Sequence, residues 1–216
     1  MVVEIDNIEL NFDTKRILHG IYLKAETGSV TGILGRNGSG KTCLLRILFG
    51  DLIPKYKNIR IDGIFQKRRL FKTNRIAYLP QHKLLPSDFK LSEAFKLFNT
   101  NWTNFVQHFN FFEKYIHSRI KDLSSGERRV VEAYLILSSG KEIILLDEPF
   151  SFIAPLYVEK FKVLIEEAKK EKAIIITDHF YKDILDISDC IYFLKNGNSK
   201  LIVSRDDLEN EGYLTS

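Results

Sequence analysis

A single α/β domain built on a largely parallel sheet, with room for a small inserted lobe, is the fold class that three stretches of the 216-residue chain predict. Residues 143–146, IILL, are four branched apolar residues with no alternation, the pattern of a strand covered on both faces. Residues 174–177, IIIT, repeat it. Residues 30–50, VTGILGRNGSGKTCLLRILFG, run from an apolar strand through a glycine-rich turn into a segment with apolar residues at helical spacing. The size suits one such domain with a substantial core.

Taken in order, residues 1–34 are rich in strand patterns, and the helix after the glycine loop leads to a β segment that ends near Gln81. Residues 82–125 read as a helical insertion. Its aromatic residues, among them Phe95, Trp102, Phe105, Phe109 and Phe112, are expected to pack the insertion's own core, with some left to line a groove. Strand, helix and strand follow, and then a polar, acidic tail, RDDLENEGYLTS. A composition of 44% hydrophobic and 28% charged residues excludes long disorder. No apolar run approaches the roughly 18 residues that span a bilayer, and MVVEIDNIEL lacks a signal-peptide layout, so a soluble, cytoplasmic chain is predicted. Cys43 and Cys190 lack metal-ligand spacing and are expected to be reduced, buried thiols. The net charge of +4 reads mainly as a mixed solvated surface, and no nucleic-acid partner is expected.

The turn itself, Gly35-Arg36-Asn37-Gly38-Ser39-Gly40-Lys41-Thr42, is a phosphate-binding P-loop. Its glycines let main-chain N–H groups approach an anion at a helix N-terminus. Lys41 is placed for the terminal phosphates, and the Thr42 hydroxyl for the Mg²⁺ that bridges them. After IILL come Asp147 and Glu148. On their own they could be only the polar end of a buried strand that caps the next helix. Beside a P-loop, which needs an acidic partner on a neighbouring strand, Asp147 is the candidate Mg²⁺ ligand. Glu148 is then the candidate general base for the attacking water.

Three further elements narrow the class. Leu123-Ser124-Ser125-Gly126-Glu127 stands just before a helix-like segment about twenty residues ahead of Asp147, Gln81 lies in AYLPQH, and His179 ends IIITDH. In order and spacing these resemble the signature sequence, Q-loop and switch histidine of ATP-binding cassette (ABC) ATPases, and the resemblance covers nearly the whole chain. It implies a P-loop NTPase (RecA-like) core, residues 1–81 and 126–216, with an N-terminal antiparallel β subdomain and a small inserted helical subdomain, residues 82–125, ending in the signature.

The resemblance also implies roles. Phe12, where the family usually has tyrosine, would stack on adenine, although a plain core phenylalanine is the other reading. Gln81 would touch Mg²⁺ or the water, and His179 would contact the γ-phosphate and hold Glu148. Ser124, Ser125, Gly126 and Glu127 would contact the ATP of a second cassette in trans, as well as starting a helix. The implied cofactors are ATP and Mg²⁺. The implied partners are a homodimeric or heterodimeric second cassette and an integral membrane permease, with the chain peripheral on the inner face of the membrane.

Two departures stand out. Ser125 and Glu127 replace the usual glycine and glutamine of the signature, and Ala154 replaces a loop aspartate that couples the two sites. Hydrolysis is expected to survive, because Lys41, Asp147, Glu148 and His179 are all present; coupling is placed in doubt. The function this predicts is the ATP-hydrolysing subunit of an ABC transporter. The alternatives are a soluble ABC ATPase serving a macromolecular or cofactor assembly, and a degenerate, non-hydrolysing regulator.

Overall fold

The computed structural model describes residues 1–179 and 181–213. Strand β1 (Val2–Phe12) and strand β2 (Lys15–Glu26) pair antiparallel, from Val2 against Glu26 to Phe12 against Lys15. Alternation decides their inner face: Val3, Ile5, Ile8 and Leu10 on one strand, with Leu18, Ile21, Leu23 and Ala25 on the other, are all buried. A bulge near Asn7, whose φ is 49°, keeps Ile5 and Ile8 on the same face although they are three residues apart.

Strand β3 (Val30–Leu34) is buried at every position and delivers the chain into the glycine loop and helix α1 (Lys41–Phe49). Strands β4 (Tyr56–Ile61) and β5 (Ile64–Phe65) extend the antiparallel sheet to its outer edge. Strand β6 (Ile76–Leu79) then enters the parallel part of the sheet.

The helical lobe follows. Helices α2 (Leu91–Leu97) and α3 (Trp102–His108) and two 3₁₀ turns, 110–115 and 120–122, lead to helix α4 (Ser125–Leu137). Phe95, Phe105 and Phe109 gather around Tyr134 of α4, with Phe112 tilted against Phe105, and all five rings are buried. Packing therefore claims most of the insertion's aromatics, as their spacing predicts; Phe111 remains exposed.

The last third is strand β7 (Ile143–Asp147), helix α5 (Pro155–Ala168), strand β8 (Ala173–Thr177), helix α6 (Tyr181–Ile187), strands β9 (Cys190–Lys195) and β10 (Asn198–Ile202), and helix α7 (Arg205–Asn210). All ten strands form one sheet in the order β5-β4-β1-β2-β10-β9-β3-β8-β7-β6. Strands β9, β3, β8, β7 and β6 run parallel to one another, and β10 pairs antiparallel with β9. Because both faces of β3, β7 and β8 are covered, each lacks alternation. The carboxyl ends of these three strands meet along one rim, where ligands of open α/β sheets bind.

Two expectations change. Cys43 and Cys190 are free thiols but only half-buried; burial still pushes the pKa of each up. Part of the segment read as a tail is helical, because Ser204 and Asp207 cap each other's backbone and Leu208 is buried.

Candidate nucleotide site

The glycine loop is shaped by approaches that a side chain would prevent. A Cβ on Gly35 would lie 2.6 Å from both the Leu194 carbonyl and Ser39 Oγ. Gly40, at φ 102°, begins α1 in a left-handed conformation, and a Cβ there would lie 2.7 Å from Leu18. Lys41 Nζ is folded into the loop, donating to the Gly35 carbonyl at 2.7 Å and the Arg36 carbonyl at 3.4 Å. Burial lowers its pKa, against the opposing pull of Glu148 and Asp147. The result is a cation held against two carbonyls of the glycine loop at the start of α1, a placement that suits a polyphosphate.

Asp147 closes this loop from β7. Its carboxylate is fully buried and divided between two donors: Thr42 Oγ1 reaches Oδ1 at 3.2 Å and the Tyr78 hydroxyl reaches Oδ2 at 2.9 Å. Desolvation raises the pKa of Asp147, and the two hydrogen bonds oppose that rise. Burial, and then the adjoining carboxylate, pushes the Tyr78 phenol upward, so it remains an O–H donor. Thr42 and Asp147 together are a hard-oxygen donor pair. Mg²⁺ is held by one or two carboxylates plus substrate phosphates, and this pair fits it.

Glu148 is the most constrained residue of the rim. Its φ of 53° is in the left-handed region, which costs a non-glycine residue about 1 kcal/mol or more. Its carboxylate is clamped at both oxygens, with His179 Nε2 2.7 Å from Oε1 and Gln81 Nε2 donating to Oε2 at 2.8 Å. Its N–H donates to the Thr177 carbonyl at 2.7 Å. Arg129, buried on α4, binds the same backbone from behind: its guanidinium donates to the carbonyls of Pro80 (2.7 Å), Asp147 (2.5 Å) and Glu148 (2.8 Å). One arginine thus ties the Q-loop to the acidic pair.

Gln81, Glu148, His179 and Phe12 line one cleft of about 450 Å³ with residues 37–43. Phe12 ends β1 with its ring half exposed to this cleft, so the core reading of Phe12 does not hold.

The LSSGE residues are elsewhere. Ser124 caps α4 by accepting from Glu127 N at 3.2 Å, and Glu127 Oε2 accepts from Ser124 N at 2.7 Å. A Cβ on Gly126 would lie 2.5 Å from the Phe152 carbonyl, so this glycine is required for the loop after Glu148 to pass. None of 124–127 lines the P-loop cleft of its own chain; Ser125 opens on a separate hollow of about 260 Å³. Ala154 is the N-cap of α5 and offers no side-chain acceptor there.

Arg129, Tyr78 and Asp178 escape a sequence reading. Each sits inside an apolar run or next to a stronger motif, although Asp178 is buried and accepts from Phe150 N at 3.0 Å.

Comparison with known proteins places these features. The sequence model of the ABC transporter family matches residues 18–151. An uncharacterised ABC transporter ATP-binding protein of Methanocaldococcus jannaschii is 30% identical, over 91% of this chain and 75% of that protein. The lipopolysaccharide export system ATP-binding protein LptB of Haemophilus influenzae is 25% identical, over 94% and 90%. Among solved structures, an ATP-binding subunit of an ABC transporter superposes with a TM-score of 0.85 at 19% identity, covering 99% of this chain and 94% of that one, which speaks for the fold alone. With a P-loop, an acidic strand end and a clamped glutamate on this fold, the chain belongs to the ABC transporter family, as an ATP-binding subunit whose ATP hydrolysis is coupled to transport.

Proposed function

We propose that Glu148 is the general base for hydrolysis, that the site is completed by residues 124–127 of a second cassette, and that turnover drives a separate integral membrane permease. The observation that carries this is the double clamp on Glu148. Gln81 and His179 each hold one carboxylate oxygen at the wall of the cleft that contains the P-loop. Held so, the carboxylate accepts a proton from a water entering the cleft, and His179 keeps it aimed. Lys41 would hold the terminal phosphates, and Thr42 and Asp147 would hold the Mg²⁺ that neutralises charge on them.

Position supports the second cassette. None of residues 124–127 lines the P-loop cleft of its own chain, so this helix start is available to a neighbour's nucleotide. Whether that neighbour is an identical chain or a sister does not alter the chemistry. Family membership supports the permease, with residues 82–125 as the lobe that would meet it and the chain peripheral on the inner face of the membrane. Among the described residues no helix is long and apolar enough to cross a membrane.

Affinity purification of tagged Glu148→Gln protein from detergent-solubilised membranes of the native cell tests the permease. A polytopic membrane protein is expected to co-purify. Recovery with soluble proteins alone would instead assign the ATPase to a macromolecular or cofactor assembly.

A further inference from the structure

The charge of this protein is unevenly placed. Residues 53–75 hold eight of the 32 basic residues and one of the 28 acidic ones, so the rest of the chain carries three more acidic than basic residues. Three of the eight are neutralised: Lys55 by Glu9, Arg60 by Glu4 and Arg75 by Glu142. Lys67, Arg68, Arg69 and Lys72 are exposed and have no ion pair among the described residues. Lys57 records the crowding, its pKa lowered by burial and then by the charge of Arg69.

Large apolar side chains share this stretch. Ile64 is 69% exposed, Phe65 56% and Phe71 39%. The segment is nonetheless fixed, because Leu70 is buried, the Phe71 ring lies 5.6 Å from Phe49, and Gln66 N donates to the Ile59 carbonyl at 2.8 Å. Its strand β5, Ile64–Phe65, is the outer edge of the ten-stranded sheet, and residues 66–72 continue from that edge.

Edge protection accounts for half of this. Cations on an edge strand discourage pairing with another sheet, but exposed Ile64 and Phe65 work against that purpose. A nucleic acid would use the cations and stack on the phenylalanines, but Ile64 offers no stacking face. An anionic bilayer surface uses both sets: headgroup phosphates meet the cations, and apolar side chains enter the headgroup–acyl boundary.

We propose that the edge formed by residues 64–72 docks on the anionic phospholipid face of a membrane. This contact is independent of the permease, and none of its residues lines the nucleotide cleft. Each cation contributes roughly five-fold to partitioning near such a surface.

The test is co-sedimentation of the full chain with protein-free vesicles of phosphatidylcholine, with or without phosphatidylglycerol. Binding is expected only with phosphatidylglycerol, and lost as salt rises toward ~1 M, where screening acts within about 3 Å. Replacing Lys67, Arg68, Arg69 and Lys72 together by glutamine is expected to weaken it about a hundredfold or more. Ile64→Ser with Phe65→Ser is expected to weaken it while leaving the salt slope unchanged. ATP turnover stays at the wild-type rate in both variants, which confirms folding. Equal sedimentation with both vesicle types, no sedimentation, or indifference to the glutamine replacements would overturn the proposal. Tighter binding of a single-stranded oligonucleotide than of the anionic vesicles would overturn it in favour of nucleic acid.

Discussion

Glu148→Gln is expected to bind ATP normally and to hydrolyse it about 10²–10⁴ times more slowly, the usual contribution of a positioned general base. The amide keeps the size of the side chain and, through its carbonyl oxygen, one of the two clamping contacts. What it loses is basicity. Lys41, Thr42 and Asp147 are untouched, so the phosphate cradle is intact. Phosphate release and the affinity of a fluorescent ATP analogue, measured on the same preparation, separate the two effects. Turnover within a few-fold of wild type would remove Glu148 from the chemistry and leave the clamp a structural feature.

Arg129→Met is expected to lower stability by about 3 kcal/mol and Tm by roughly 6–12 °C, and to slow turnover as well. The loss arises from three buried carbonyls, on Pro80, Asp147 and Glu148, that one guanidinium now satisfies. Relief of the cost of burying the cation offsets part of it. Arg129→Lys is expected to rescue little, because a point charge cannot reproduce the planar fork that spans two segments of chain. Activity should fall because the left-handed backbone of Glu148 is held in place by these bonds and by Thr177. Calorimetry and steady-state turnover on both variants check this; a Tm lowered by less than about 2 °C, which corresponds to about 1 kcal/mol or less, would contradict it.

These residues also show what a sequence makes legible. Gly35, Gly40 and Lys41 announce themselves, since a glycine loop between strand and helix has few other uses. IILL announces a doubly covered strand, and Asp147 inherits a role from standing at its end. Arg129 and Tyr78 do not, because their roles depend on partners from other elements: Arg129 lies 49 residues from Pro80, and Tyr78 lies 69 from Asp147. In a one-dimensional reading, an arginine within a helix is a solvated charge and a tyrosine within a strand is a core ring. The left-handed turn at Glu148 is equally hidden, since glutamate has no preference for it. Glu127 gains a second meaning from structure: one of its carboxylate oxygens accepts from the Ser124 amide and closes the cap of α4.

The most direct test of a site completed by a second cassette is the mass of Glu148→Gln protein in solution with ATP and Mg²⁺. The account predicts a particle of twice 25.1 kDa with ATP that reverts to 25.1 kDa with ADP. A 25.1 kDa particle at saturating ATP, from protein shown to bind it, would contradict the account for this chain acting with its own copy and leave only a sister cassette able to complete the site.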